Sequence, residues 1–143
     1  MKIKDVLSRK GGAIYTIDQN KTIFEALSIL VPNKIGSLIV LDNEGKISGI
    51  FSERDALREC YNNPNSFQNI IIGDVMTKSI IVAEPDDEVE YVMGIMTQNK
   101  FRHTPIVDKS GNLVGIVSIG DLVKVQLSEK DFENKYLMQY IQG

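Results

Sequence analysis

With 143 residues, 16 Lys and Arg against 19 Asp and Glu, and a formal net charge of −3, the chain lacks the basic surplus of a nucleic-acid-binding surface, and no such partner is expected. No apolar run approaches the roughly 20 residues that cross a bilayer, and Met1-Lys-Ile-Lys-Asp5 has no signal-peptide core, so a cytoplasmic chain without a membrane partner is expected. One cysteine and one histidine exclude an internal disulfide and a zinc-type Cys/His cluster, so no metal site is expected.

In chain order, the prefix Asp5-Val6-Leu7 precedes a short extended run, Ile14–Ile17. Ile23, Ala26, Leu27 and Leu30 then recur at helical spacing. Pro32 falls late in that helix and predicts an early end or a kink, because proline removes an amide donor and clashes one turn back. Two β-branched runs, Ser37–Leu41 and Ile47–Phe51, flank the turn Asp42-Asn-Glu-Gly45 and predict a hairpin that leads into a helix over Glu53–Tyr61. The turn-rich stretch 62–69 reads as a link between halves.

The pattern then repeats. Asp74-Val75-Met76 is followed by the extended run Ile80–Ala83, a helix carrying Val89, Val92, Met93 and Met96, a hairpin (105–107 with Leu113–Val117) and a helix over Ile119–Leu127. The Met93/Met96 pair reads as core packing, Lys34 and Lys100 as exposed helix ends, and Cys60 as an inert helical residue. A last amphipathic helix is expected beyond residue 129, with Phe132, Tyr136, Leu137 and Tyr140 free to pack.

Residues 15–58 superpose on 81–124 at an offset of 66 without a gap, with nine identical pairs that include Gly49/Gly115, Ser52/Ser118 and Asp55/Asp121. The expected organisation is therefore repeat 1 over 1–61, a linker over 62–73, repeat 2 over 74–128 and a C-terminal helix over 129–143. Halves of about 65 residues bury little surface alone, so a single shared core is expected.

Ser52-x-x-Asp55 and Ser118-x-x-Asp121 stand where a strand becomes a helix, and each reads first as a capping box. Their recurrence, with a glycine three residues earlier in each strand, also admits a ligand that approaches closely. Helix-start amides and the serine hydroxyl suit a phosphate, and the aspartate suits the two hydroxyls of a ribose. No nucleophile–base pair, phosphate loop or dinucleotide fingerprint is present, so no catalytic residue and no enzyme is expected.

Asp74-Val-Met-Thr77, Lys100-Phe-Arg-His-Thr-Pro-Ile-Val-Asp108 and Gly115-Ile-Val-Ser-Ile-Gly-Asp121 resemble the cystathionine-β-synthase (CBS) domain, present as a tandem pair of the stand-alone bacterial type from about Lys4 to Val125. The resemblance implies a mixed α/β (α+β) fold in which two β-α-β-β-α repeats, related by a pseudo-twofold axis, pack through their sheets. It also implies a regulatory sensor of an adenosine ligand (AMP, ADP or ATP, alternatively S-adenosylmethionine or NAD) that acts on an unidentified partner protein through conformation or homodimer assembly, with no catalytic cofactor. A constitutive dimerisation scaffold with empty clefts is the alternative.

By the same resemblance, Asp55 and Asp121 bind ribose, while Ser52, Arg54, Arg102, His103 and Ser118 contact phosphate. Backbone at Ile14, Tyr15, Thr16, Ser79, Ile80 and Ile81 reads the adenine edge. Family sites are assembled crosswise, so Ser52/Asp55 is expected to face Arg102 and His103, and Ser118/Asp121 to face Gly36 and Ser37. The first, richer in cations, is the expected phosphate site.

Overall fold

Both hairpins form where their Asp…Gly turns put them. In the computed structural model, which describes residues 1–11 and 14–129, Gly45 and Gly111 adopt φ of 80° and 85°, a left-handed geometry that glycine takes without a Cβ clash. Asp42 Oδ1 accepts the amides of Glu44 and Lys46 at 2.9 Å, and Asp108 Oδ1 does the same for Ser110 and Asn112. These Asx turns reverse each chain and fix the register.

The elements follow in order: α1 (Ile3–Lys10), β1 (Thr16–Asp18), α2 (Ile23–Asn33), β2 (Ser37–Leu41), β3 (Ile47–Ser52), α3 (Glu53–Asn62), a 3-10 turn (Phe67–Asn69), α4 (Ile72–Val75), α5 (Val89–Asn99), β4 (His103–Val107), β5 (Leu113–Ser118) and α6 (Ile119–Glu129). The architecture is mixed α/β. The expected C-terminal helix over 129–143 lies, beyond Glu129 of α6, outside the described residues. Among the described residues no helix is long and apolar enough to cross a membrane.

The first sheet has the order β1-β2-β3, with β1 parallel to β2 and β2 antiparallel to β3. The second keeps only the antiparallel pair β4-β5, and the expected strand over 80–83 shrinks to one parallel bridge between Ala83 and Ile106. Pro105 explains the loss. Its counterpart Ile39 donates its amide to Tyr15 O at 3.4 Å, and proline has no amide to donate.

Pro32 does not shorten α2, which runs for 11 residues like α5. It sits exposed in the last turn, and Lys34, in the left-handed conformation, closes the helix by donating to Leu30 O and Val31 O. Lys100 does the same for α5, and Asn33 and Asn99 each return a side-chain amide to the carbonyl four residues back at 2.8 Å. The repeated Asn-Lys pair is thus helix-ending equipment.

The packed units cross the sequence repeats. One unit is Ala13–Ile81; the other joins Met1–Gly12 to Val82–Gly143. Within the two units, most of the buried apolar residues among those described fall into two clusters. Ile17, Ile23, Leu30, Leu38, Phe51 and Ile72 lead the first; Ile3, Val6, Val92, Met96, Ile106 and Leu122 lead the second. Each cluster is completed by a segment outside its repeat. Helix α1 sends Ile3 and Val6 into the second, and 62–81, expected to begin as a plain linker, sends Phe67, Ile70, Ile72, Val75 and Met76 into or against the first. Small halves gain buried apolar area in this way, which offsets chain entropy.

Candidate functional site

The junction of β3 with α3 is built by Ser52 and Asp55. Ser52 is in extended conformation at the N-cap, so its Oγ accepts the Asp55 amide at 3.2 Å, while Asp55 Oδ2 accepts the Ser52 amide at 2.9 Å and its hydroxyl at 3.1 Å. This reciprocal arrangement satisfies helix-start amides that would otherwise lack partners. Thr77 Oγ1 adds bonds of 3.3 and 3.4 Å to the two carboxylate oxygens, and Arg58 Nη1 pairs with Oδ1 at 3.1 Å. Arg58 also holds Glu59 at 3.1 Å and donates to Val75 O at 3.0 Å. Burial by itself lowers the Arg58 pKa, but Glu59 and Asp55 outweigh it and raise it above the usual arginine value.

The junction of β5 with α6 repeats the capping geometry in a different setting. Ser118 N donates to Asp121 Oδ2 at 2.9 Å, and Asp121 N donates to Ser118 Oγ at 3.0 Å. The third member comes from α1, where Lys10 Nζ donates to Asp121 Oδ2 and to Ile116 O, both at 2.9 Å. Burial pushes the Asp121 carboxyl up, and the Ser118 amide and Lys10 ammonium overcome it, holding the group below the ordinary aspartate value. The Asp121 side chain is 28% exposed, against 4% for Asp55.

The glycines have a specific neighbour. A Cβ on Gly49 would lie 2.7 Å from Thr77 O and 2.8 Å from Met76 Sδ, and one on Gly115 would lie 2.6 Å from Leu7 Cδ2. The close approach anticipated for a ligand is made by the chain's own prefix segments, at Met76-Thr77 and Leu7.

Within the units, the remaining candidate residues sort by hairpin register. His103 is the β4 partner of Ser118, and Arg102 O accepts the Ile119 amide at 2.9 Å, so both stand beside the start of α6. Ser37 is likewise the partner of Ser52, and Gly36 O accepts the Glu53 amide at 2.9 Å. Arg54 and Arg102 are exposed. Ile14, Tyr15 and Thr16 lead into β1, and Ser79, Ile80 and Ile81 form an irregular stretch of the same unit, Ala13–Ile81.

Three site residues escaped the sequence reading: Arg58, Thr77 and Lys10. Arg58 was within reach, since positions three apart on a helix face one another and Asp55 is its neighbour at that spacing. Lys10 carried no such signal, standing 111 positions before Asp121.

The CBS domain profile matches residues 3–62 and 72–128, twice over and across most of the chain. The chain belongs to the CBS domain family. A CBS relative, the mitochondrial CBS domain-containing protein CBSX3 of Arabidopsis thaliana, is 32% identical over 149 residues, covering 99% of this chain and 72% of its own length. The CBS-domain protein ATU1752 of Agrobacterium tumefaciens superposes with a TM-score of 0.80 at 35% identity, covering 87% of this chain and 92% of its own. CBSX2, solved in complex with AMP, matches with a TM-score of 0.74 at 27% identity over 90% of this chain and 98% of its own. The CBS pair of MJ0100, solved with 5′-methylthioadenosine and S-adenosylmethionine, matches with a TM-score of 0.76 at 27% identity over 90% and 98%.

Proposed function

We propose that this CBS pair is a regulatory sensor of an adenosine ligand of the AMP, ADP or ATP type, acting on a partner protein rather than as an enzyme. The observation that carries the reading is the duplicated hydroxyl–carboxylate pair at Ser52/Asp55 and Ser118/Asp121, each at a helix start whose positive dipole favours a phosphate. Solved relatives that hold AMP, or 5′-methylthioadenosine and S-adenosylmethionine, support the ligand class. In this reading the carboxylates take ribose hydroxyls, Ser52, Ser118, Arg54, Arg102 and His103 serve the phosphate, and backbone at 14–16 and 79–81 takes the adenine edge.

Thermal unfolding with AMP, ADP, ATP, S-adenosylmethionine and NAD in turn tests it. A ligand at 100 times its Kd adds about 2.7 kcal/mol, a large shift in melting temperature. An unchanged melt with every compound overturns the sensor in favour of the scaffold. That second reading draws on Asp55, whose two carboxylate oxygens are already bonded within the chain.

The same proposal includes a homodimer. Helices α2 and α3 pack side by side and leave Phe24, Val31, Leu57 and Tyr61 exposed, the last two at 70% and 86%. Exposed apolar side chains on two neighbouring helices favour association where they meet a partner surface. Sedimentation velocity across a concentration series is expected to show a dimer, and a monomer throughout would remove the dimer from the proposal.

A further inference from the structure

We infer that the phosphorylated ligand is received at Ser118/Asp121 rather than at Ser52/Asp55, and that Lys10 supplies the charge that selects its phosphate. This rests on the adenosine-ligand reading above and names the repeat and the residue that carry it.

The two carboxylates differ in what they have left to offer. Asp55 is 4% exposed, and both its oxygens are bonded: Oδ1 to Arg58 and Thr77, Oδ2 to the Ser52 amide and hydroxyl and to Thr77. A ribose could bond there only by displacing donors from a buried charge, which is expensive. Asp121 is 28% exposed, its hydrogen bonds all fall on Oδ2, and among the described residues none reaches Oδ1. Among the described residues, one oxygen stands open to a hydroxyl donor.

The cations are distributed in the same sense. Arg58 is held by Asp55, Glu59 and the Val75 carbonyl. Lys10 is 36% exposed at the end of α1, with its ammonium on Asp121 and Ile116 O. An ammonium has three donors on a flexible four-carbon stem, so among the described residues Lys10 retains one donor, and it can move with the ligand. Arg102 and His103 adjoin the same helix start through the hairpin register. When ribose hydroxyls donate to Asp121, the lysine turns to the phosphate, and neither charge loses its partner. In the unit Ala13–Ile81, which holds Ser52 and Asp55, the corresponding position has no such lysine, because Ser79 stands at the offset of 69 that relates Asp5-Val6-Leu7 to Asp74-Val75-Met76.

The test is calorimetric titration of the full chain, its Lys10→Met variant and its Lys10→Arg variant with AMP and with adenosine. Loss of one charge-assisted bond predicts that Lys10→Met binds AMP about tenfold or more weakly, with adenosine changed by less than about twofold, while Lys10→Arg retains the preference for AMP. Equal effects on both compounds, or none on AMP, overturn the role of Lys10 while leaving the sensor reading intact. Loss of AMP binding in Arg54→Met with Lys10→Met unaffected overturns the choice of repeat. If the unmodified chain binds neither compound, the sensor reading falls and this inference with it.

Discussion

The carbonyl oxygen of Thr77 lies 2.7 Å from the place a Cβ on Gly49 would occupy, and the two segments are locked by paired backbone bonds between Thr77 and Ile50 at 2.9 and 3.0 Å. A methyl group there has nowhere to go, because the obstacle is main chain. Gly49→Ala is therefore expected to cost about 1–3 kcal/mol in a denaturant titration. At Gly115 the obstacle is the end of the Leu7 side chain, which can rotate, so Gly115→Ala is expected to cost clearly less. Equal losses would contradict the distinction.

Thr104 stands 1% exposed in β4 with its hydroxyl unpartnered among the described residues, at the position where the first repeat has Leu38. Removal of an unpaired buried hydroxyl relieves a desolvation cost of about 1 kcal/mol or more. Thr104→Val, nearly the same shape, is expected to raise the melting temperature. A fall would show that the hydroxyl has a partner after all.

Arg58 compensates two carboxylates that are nearly out of water, Asp55 and Glu59. Arg58→Met is expected to destabilise by about 1.5–3 kcal/mol, the range for losing charge-assisted bonds to a buried group, although half exposure of the arginine favours the lower end. Arg54→Met, one turn earlier and exposed, is the comparison in the same urea melts and is expected to change stability little.

Asp121 carries a pH signature. Its folded pKa lies below the ordinary aspartate value of 3.8, so the stability it contributes is complete above that value and fades as pH falls through the lower folded one. The stability difference between the unmodified chain and Asp121→Asn is expected to hold steady from neutral pH to about 4 and to shrink in more acid solution. A difference that persisted undiminished below that point would detach the carboxylate charge from the effect.

Local chemistry is what made most of the fold legible beforehand. Asp42…Gly45 and Asp108…Gly111 announced their hairpins, and Ser52-x-x-Asp55 its helix start, because each uses side chains to satisfy backbone a few residues away. The strand lost to Pro105 was masked by an apolar run that otherwise suits a strand. The crossing of α1 into the second packed unit was not legible at all, since periodicity reports which face of a helix is apolar and not which core receives it. For that reason the Lys10–Asp121 pair had no warning, and the strand glycines were credited to a ligand when Leu7 and Thr77 fill the space. Several identities between the halves, Asn33, Lys34, Asp42, Gly45 and Gly49 with their counterparts, are accounted for by caps, turns and close contacts.

The exchange of prefix segments bears on how the gene can be cut. A scissor placed at the sequence boundary near residue 62 strands Ile72 away from the hydrophobic cluster it completes and leaves Ile3 and Val6 attached to the wrong fragment. A fragment spanning 14–81 keeps its apolar set whole, whereas one starting at 82 becomes whole only when a peptide carrying 1–11 is added in trans.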